Sequence, residues 1–283
     1  MISFVILHYK NLNDTISCIE SIKKLTSQDK TSIVVVDNHS LSKEEEKELR
    51  KYTNDLILLQ DNLGVAKAYN KGADYARNKY KPDFICVMNN DIEIKQKEFI
   101  NNIQKVYNKT KFDMLGTKII CDGDSVNPFP VFDTLEKINK RIERNEKLIK
   151  IYSNKVKGLL LELFLKIKYF IRKPIKLVNG ENEEENVALH GCLIIFSKKY
   201  YEKNKYLLPN DTFLFHEEEF LYFRCLKNNY KAVYSPTLEI IHKEGQAIKA
   251  SNKSVIERKK NKLIECNKSL RILKSKLENN DEI

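Results

Sequence analysis

The sequence predicts an α/β fold with a mostly parallel central sheet flanked by helices, a basic helical insertion and a C-terminal helix. Three observations support this prediction. Short apolar runs alternate with amphipathic helical stretches over the first ~95 residues, as βαβ units do. The runs are apolar at successive positions, which is typical of strands buried on both faces. Polar side chains follow the runs, and ligands bind beyond the carboxyl ends of strands in open α/β sheets.

The first half of the chain alternates strand and helix. We predict strands at 2–7, 32–36, 56–59 and 84–88. Asn13 or Asp14 can cap the first helix, because either side chain can accept from a free backbone N–H. Ser42 and Glu45 form an S-x-x-E capping box that opens a second helix. An Ala-rich helix is predicted over 65–80, so this half has the organisation of a nucleotide-binding unit.

The stretch 84–93 is the centre of the functional interpretation. Its apolar part predicts a buried strand, and Asn89, Asn90, Asp91 and Glu93 follow where that strand ends. Carboxylate and amide oxygens suit a hard divalent cation such as Mg²⁺ or Mn²⁺. The alternative is that these residues only form an Asx turn after the strand.

Two further groups of residues are candidates for a nucleotide site. Asp37 ends the second predicted strand beside Asn38, where a carboxylate can accept from a pyrimidine N–H or a ribose hydroxyl. Asn62-Leu63-Gly64, with Asn70 and Gly72 in the next helix, suggests backbone shaped for close approach to a ligand. The alternatives are an Asx turn at Asp37 and ordinary turn or helix-packing glycines. Neither a GxGxxG nor a GxxxxGK[ST] motif is present.

The second half supplies the candidate acids and histidines. We predict strands at 187–196, with His190 and Gly191 near its start, and at 230–234 and 238–242. Glu217, Glu218 and Glu219 precede a helix over 220–227, where a clustered carboxylate of raised pKa can act as a general base. Acids at a helix start also favour its dipole without any catalytic role. His242 ends a strand and can complement a carboxylate at a metal, although a lone histidine is more often structural.

The middle of the chain differs in charge and pattern. Residues 134–177 are predicted to be helical and basic, and 155–176 combine a wide apolar arc with surrounding lysines. This pattern fits a helix lying in an anionic membrane interface. It also fits a helix packed on the protein's own core, or a seam between two copies of the chain. A basic amphipathic helix or helix pair is expected from 251 to 277.

The composition limits the possible classes of protein. The 283 residues carry a net charge of +11, which implies an anionic partner but does not choose among nucleic acid, membrane and phosphorylated small molecules. Six scattered cysteines without a CxxC pair suggest reduced, buried thiols. We expect no secretory signal and no transmembrane helix, since no apolar stretch approaches ~18 residues.

Seven stretches in the same order resemble the family 2 glycosyltransferases, which have the GT-A fold. They are ISFVILHYK, VVVDNHS, DNLGVAKAYNKG, FICVMNND, LHGCLIIF, FHEEEFLYFRCLKNNYKAVY and LEIIHKEG. The resemblance implies an inverting transferase with a nucleotide-diphosphate-sugar donor and Mn²⁺ or Mg²⁺. It also implies a bacterial capsule or O-antigen type of pathway, with a glycan acceptor that we expect to be lipid-linked.

The resemblance assigns a role to individual residues. Glu218 takes the position of the catalytic base, within the acid pair that it forms with Glu217. Asp91 takes the last position of a D-x-D-type metal motif, and His242 joins it near the diphosphate. The expected substrate and nucleotide residues are Tyr9, Asp37, Asn38, Asn62, Gly64, Asn70, Asn90, His190 and Gly191.

The sequence also departs from the family pattern. Asn89 stands where the family often has the first Asp, so Asp91 carries more of the expected metal binding. Glu218 replaces the more usual Asp and moves the carboxylate outward by about one methylene. Phe220 stands where many members have another acid. The chain has no Trp and so cannot contain the Q-x-x-R-W motif of processive members, which implies single sugar additions.

The predicted organisation is one GT-A domain with a tail. Residues 1–110 form the nucleotide-sugar half, 111–250 the acceptor half with the insertion 134–177, and 251–283 a helical tail. We expect a cytoplasmic enzyme, peripheral to the inner face of the cell membrane, that does not bind nucleic acid and for which a homodimer is one open oligomeric state. Two alternatives remain: a non-catalytic nucleotide-sugar-binding scaffold of the same fold, and a basic nucleic-acid-binding protein. The second lacks RNP-like, zinc-finger and helix-turn-helix signals.

Overall fold

A computed structural model describes residues 1–26, 30–121, 124–131, 133–171, 180–243 and 254–283. The strands are β1 (Ile2–His8), β2 (Thr31–Asp37), β3 (Asp55–Leu58), β4 (Phe84–Asn89), β5 (Ile92–Glu93), β6 (Met114–Cys121), β7 (Asp124–Ser125), β8 (Glu184–Glu185), β9 (Leu193–Ser197) and β10 (Ala232–His242). The helices are α1 (Leu12–Lys23), α2 (Lys43–Leu49), α3 (Val65–Tyr80), α4 (Phe99–Thr110), α5 (Leu135–Tyr152), α6 (Lys155–Ile171), α7 (Lys198–Lys203), α8 (Glu217–Asn228) and α9 (Val255–Asn279).

The described strands form one mixed sheet in the order β3-β2-β1-β4-β9-β6-β10-β5, with β7 paired to β6 and β8 to β10. Strands β3, β2, β1 and β4 are parallel, β9 is antiparallel to both β4 and β6, and β10 is parallel to β6. The carboxyl ends of β1, β2, β4 and β10 therefore lie at the same edge as the start of β9. The mostly parallel sheet confirms the predicted fold class.

The sheet is buried on both faces because its strands are apolar at successive positions. In β1, Phe4 and Ile6 belong to the apolar layer that includes α1 and α4, whereas Val5 and Leu7 belong to the layer that includes α3. A third apolar cluster joins α5, α8 and α9, with Phe220 fully buried at its centre. This cluster connects the C-terminal helix to the helix that begins with the three glutamates.

Several elements agree with the sequence-based prediction. Helix α3 has the predicted bounds, and the Ser42–Glu45 capping box is present at the start of α2. All six cysteines are buried thiols. Within the described ranges, no helix is long and apolar enough to cross a bilayer.

Other predictions were wrong in detail. Helix α1 starts at Leu12, directly after Asn11, so neither Asn13 nor Asp14 is its cap. The two strands predicted at 230–234 and 238–242 form a single strand, β10, with a register shift between Ser235 and Glu239. The strand predicted over 187–196 begins only at Leu193. The helical segment predicted over 134–177 is broken between α5 and α6, and its last six residues lie outside the described ranges.

Candidate active site

Asp91 and His242 meet at the carboxyl edge of the sheet. Asp91 follows β4, and His242 is the last residue of β10, directly opposite Ile92 of β5. The His242 Nε2 atom lies 3.2 Å from Asp91 Oδ1, and both side chains are largely buried. The backbone N–H of Lys243 donates to the Asp91 carbonyl at 3.1 Å, which fixes the loop that carries the carboxylate.

The pair suits a divalent cation. Although the 3.2 Å contact is short enough for an ion pair, Asp91 Oδ1 and His242 Nδ1 are buried without a hydrogen-bond partner among the described atoms. Adjacent ligands of an octahedral ion, each at about 2.1 Å, lie about 3.0 Å apart, close to the observed separation. The described residues contain no cluster of three or more His, Cys, Asp or Glu side chains that could hold a metal. Such an ion would therefore need further oxygen ligands, as Mg²⁺ commonly takes from substrate phosphates.

A turn with unusual backbone angles presents the three glutamates. Phe215 and His216 both have positive φ, at 72° and 70°, in a region that residues other than glycine rarely occupy. Helix α8 then begins at Glu217. Glu217 and Glu219 are buried, and Glu218 is half-buried. Backbone strain of this kind clusters at functional sites, so the turn supports a role for these acids.

Glu218 contacts the segment that leads into β9. Its Oε1 accepts from the backbone N–H of Gly191 at 3.0 Å. A Cβ on residue 191 would lie only 2.8 Å from the same oxygen, so the glycine leaves the space that the carboxylate occupies. The structure thus brings together Glu218 and Gly191, two residues that the sequence placed in the site separately.

Burial changes the pKa values of this acid cluster. Burial, followed by the charge of Glu218, raises the pKa of Glu217 to about 8. Burial and the charge of Glu219 also raise the pKa of Glu218. Burial would lower the pKa of His216, but hydrogen bonds with Cys266 and Glu219 raise it to about 9. At neutral pH the cluster therefore contains a protonated Glu217 and a charged His216, the latter 3.2 Å from Glu219.

His190 lies beside the candidate metal pair. Its ring centroid is 6.0 Å from that of His242, in an edge-to-face arrangement. Burial and, to a lesser extent, His242 lower its pKa to about 4, so the imidazole is neutral at pH 7. Its Nδ1 accepts from the Cys192 backbone N–H at 3.1 Å, which leaves the proton on Nε2. His190 thus has the character of a neutral hydrogen-bond donor.

The residues predicted to bind nucleotide also shape the loops of the site. Both carboxylate oxygens of Asp37 accept from the Ser40 backbone N–H, at 3.0 and 3.2 Å. The Asn38 amide bonds the Leu63 N–H and the Gly64 carbonyl. The amide of Asn90 donates to Thr15 Oγ1 of α1 at 2.9 Å and to the Lys10 carbonyl at 3.2 Å, joining the loops after β4 and β1. These contacts join the loop after β2 to the loop before α3, and the loop after β4 to the loop after β1.

Asn70 and Gly72 have structural contacts in α3. The Asn70 amide donates to the Leu208 carbonyl and accepts from its N–H, at 2.9 and 3.1 Å. A Cβ on Gly72 would lie within 2.6 Å of side chains in β1 and β2, which makes it a helix-packing glycine. Tyr9 is half-buried, and Asn62 is exposed with its Oδ1 accepting from Gly64 N–H at 3.0 Å. Nucleotide contacts by these residues stay predictions.

Gly64 approaches another loop rather than open space. It has φ +80°, and a Cβ there would lie 1.9 Å from the Phe213 carbonyl oxygen. The same carbonyl accepts from the Val65 N–H at 3.0 Å. The backbone at Gly64 therefore approaches the segment just before the glutamates closely, and the expected approach to a ligand stays a prediction. The loop before α3 is therefore in direct contact with the segment that leads into the acid-bearing turn.

A family comparison matches the order of these features. The model of the family described as "Glycosyl transferase family 2" matches residues 3–204. The chain belongs to glycosyl transferase family 2. The match extends from β1 into the segment after α7, and so covers the nucleotide-site candidates, Asp91, His190 and Gly191. The acid-bearing turn, His242 and α9 lie beyond the matched residues.

Solved structures share the fold of this family 2 chain. Residues 1–349 of TarS from S. aureus superpose with a TM-score of 0.53 at 13% identity, over 91% of this chain and 68% of that one. GalNAc-T7, solved with UDP, GalNAc and Mn²⁺, gives 0.55 at 11% identity, over 93% of this chain and 47% of that one. No curated protein matches the chain. At these identities the neighbours show the GT-A fold alone.

The structure adds residues that the sequence reasoning missed. Tyr69 is fully buried and donates to Asn89 Oδ1 at 2.8 Å, so it orients the residue that ends β4. Asn127 accepts from the His190 N–H at 3.0 Å. Ser269 of α9 donates to the Leu214 carbonyl at 2.9 Å, just before the strained turn. Each acts across a long sequence separation, and no local pattern signals such contacts.

Proposed function

We propose that this family 2 protein is an inverting, metal-dependent, non-processive glycosyltransferase. It would move one sugar from a nucleotide-diphosphate sugar to a hydroxyl of a lipid-linked glycan acceptor, in bacterial capsule or O-antigen-type synthesis. The observation that carries the proposal is the arrangement at one sheet edge. There Glu218 is held at the start of β9 by Gly191, and Asp91 and His242 meet after β4 and β10.

Glu218 is the proposed general base. Its carboxylate would take the proton of an acceptor hydroxyl as the oxygen forms a bond to the anomeric carbon. The bond from that carbon to the diphosphate oxygen breaks on the opposite face, so the nucleoside diphosphate leaves with the electron pair and the configuration inverts. The raised pKa of Glu218 supports this role, because a base of higher pKa accepts a proton more readily.

Asp91 and His242 are the proposed holders of Mn²⁺ or Mg²⁺. The bound ion would neutralise the charge that develops on the leaving diphosphate. The proposed nucleotide contacts are Tyr9, Asp37, Asn38, Asn62, Gly64, Asn70 and Asn90. UDP is the nucleotide to test first, because TarS has been solved with UDP and with UDP-GlcNAc, and GalNAc-T7 with UDP.

The first test replaces the base. Glu218→Gln keeps the size of the side chain and removes the proton acceptor, so turnover should fall by roughly 10²–10⁴-fold while donor binding stays near normal. The measurement is release of nucleoside diphosphate from a panel of UDP-, dTDP- and GDP-sugars, with affinity measured by calorimetry. Near-normal turnover would remove Glu218 from the role, and Glu217 and Glu219 would then be tested.

The second test separates a transferase from a nucleotide-sugar-binding scaffold. UDP with Mn²⁺ should raise the unfolding temperature, since a ligand at a hundredfold excess over its Kd adds about 2.7 kcal/mol of stability. Asp91→Asn and His242→Ala should abolish the Mn²⁺-dependent part of the shift and keep the part due to UDP alone. A full shift without sugar-transfer or hydrolysis activity would favour the scaffold. No shift with any nucleotide, in folded protein, would reject the donor site.

A further inference from the structure

Helix α6 exposes an apolar surface that the rest of the described fold leaves uncovered. Seven of the thirteen exposed large apolar side chains in the described ranges lie on this one helix. Val156, Leu159, Leu160, Leu163 and Phe164 are each between 57% and 66% exposed. Large contiguous apolar surfaces of this kind mark interaction sites on soluble domains.

The exposed side chains form one arc with lysines at both edges. At about 100° per residue, positions 159, 163, 156, 167, 160 and 164 cover about 140° of the helix circumference. Lys155 and Lys166 border one side of the arc, and Lys157 borders the other. All three lysines are exposed. An apolar arc flanked by cations on both sides is the arrangement of helices that lie in a membrane interface.

The opposite face of α6 is attached to the protein. Gly158 is buried, and a Cβ there would lie 3.3 to 3.4 Å from side-chain atoms of Ile256 and Tyr152. Glu162 accepts from Lys259 at 2.7 Å and from Tyr152 at 2.7 Å. Glu162 is the one acidic residue of α6, and it points toward α9 rather than into the apolar arc. The outward arc therefore contains no negative charge to oppose an anionic surface.

We propose that the α6 arc docks the protein on an anionic lipid bilayer. The apolar side chains would enter the boundary between head groups and acyl chains, and the flanking lysines would contact the anionic head groups. Two other occupants, a second copy of the chain and nucleic acid, fit the arc less well. A second α6 placed against the arc would bring like-charged lysines together, and nucleic acid would leave the apolar side chains exposed to water.

The docking surface is connected to the candidate active site. Lys259 on α9 contacts α6, and farther along the same helix Ser269 bonds the Leu214 carbonyl. Leu214 lies directly before the turn that presents Glu218. A bilayer under α6 would thus hold α6 and α9, and with them the acid-bearing turn, at a fixed place relative to lipid-linked molecules. The lipid-linked acceptor in this inference rests on the proposed function. The docking of α6 on a bilayer does not depend on turnover.

The test measures vesicle binding. The wild-type chain should float with phosphatidylcholine vesicles containing phosphatidylglycerol, and much less with pure phosphatidylcholine. The triple variant L160E/L163E/F164E should lose at least about tenfold in partitioning. The triple variant L58E/L135E/L226E makes the same charge change at exposed leucines outside α6 and should bind like the wild type. Circular dichroism and the unfolding temperature confirm that each variant is folded.

A lysine variant tests the head-group contact separately. K155Q/K157Q/K166Q should reduce the preference for phosphatidylglycerol and its salt dependence, with the apolar contact kept. Equal flotation of the two triple-Glu variants, or no flotation of the wild type, would overturn the proposal. So would a dimer in light scattering that only the α6 variant dissociates, since the arc would then be a subunit interface. The UDP-dependent thermal shift does not depend on vesicle binding. A failure of docking can therefore be distinguished from a failure of the proposed function.

Discussion

Gly191 matters through the side chain that it lacks. A Cβ at this position would lie 2.8 Å from Glu218 Oε1, which is the mobile end of a flexible side chain. Gly191→Ala should therefore push the carboxylate aside rather than unfold the protein. We expect kcat to fall by about 10–100-fold, since a displacement of about 1 Å at a reacting group costs about that much. The unfolding temperature should change little.

A double variant provides the control for this prediction. If Gly191→Ala acts only through the carboxylate, it should have no further effect on turnover in the Glu218→Gln background. An additive loss in the double variant would show that Gly191 contributes in another way, for example by contact of its backbone with substrate. Steady-state kinetics of the two single variants and the double variant decide between these outcomes.

At the residue scale, the sequence predicted which side chains carry chemistry better than it predicted what those side chains contact. Asp91, Glu218 and His242 were singled out because each carries chemistry at the end or start of an element, and the fold brings Asp91 and His242 into contact. Asn70 was singled out for the same reason, yet its amide bonds the backbone of Leu208. A polar residue at a predicted site can serve either purpose, and only the tertiary neighbour distinguishes them.

The C-terminal helix α9 is held to α5 partly by a buried pair of amides. Asn145 Nδ2 donates to Asn267 Oδ1 at 2.7 Å, and Asn267 Nδ2 donates to the Ile142 carbonyl at 3.2 Å. Asn267→Ala would leave the Asn145 amide buried without this partner, and should cost about 1–3 kcal/mol of unfolding free energy. Urea denaturation measures the change.

The matched control removes both amides. Asn145→Ala combined with Asn267→Ala should cost less than the sum of the two single variants, because no buried donor is then left unsatisfied. If the loss of unfolding free energy in the double variant equals the sum of the two single losses, the two side chains contribute independently. The amide contact is then not a coupled interaction.

At the scale of elements, local signals predicted well where they agreed with the tertiary context. The apolar run of β4 and the Ala-rich helical pattern of α3 are unambiguous locally, so both elements were predicted. Strand β10 was predicted as two strands because Pro236 separates its halves, whereas the sheet accommodates the break as a register shift. Strand β6 was not predicted, since Gly116 and Lys118 interrupt its apolar run. Helix α4 was not predicted either.

Above about pH 6.5 the whole molecule should become less stable as the pH rises. Below that pH the effect of Glu217 is opposed by His190, whose pKa is lowered to about 4. Glu217 has a pKa of about 8 when folded, against an ordinary value of 4.5, so the folded state holds a proton that the unfolded state releases. Its contribution is therefore lost between about pH 4.5 and 8. His216, raised from 6.5 to about 9, contributes stability that is present below pH 6.5 and lost as the pH rises through 9.

Glu217→Gln separates these two contributions. The variant should lose the fall in unfolding free energy that Glu217 causes between pH 4.5 and 8, and keep the fall that is due to His216. At pH 9 it should be more stable than the wild type by about 1–3 kcal/mol, because no buried carboxylate has to ionise. Urea midpoints measured from pH 5 to pH 9 test this expectation. Parallel curves for the two proteins would show that Glu217 ionises normally.

The position of β10 in the sheet sets the order in which a newly made chain can acquire its parts. Strands β1 to β4 pair with one another and leave the ribosome before the later strands, so this part of the sheet can begin to assemble during synthesis. Asp91 has then already been translated, but His242 ends the last strand, β10, and the residue after it fixes the Asp91 loop. Only a chain translated through β10 can bring the two side chains together, so cation binding at this pair would require synthesis at least as far as His242.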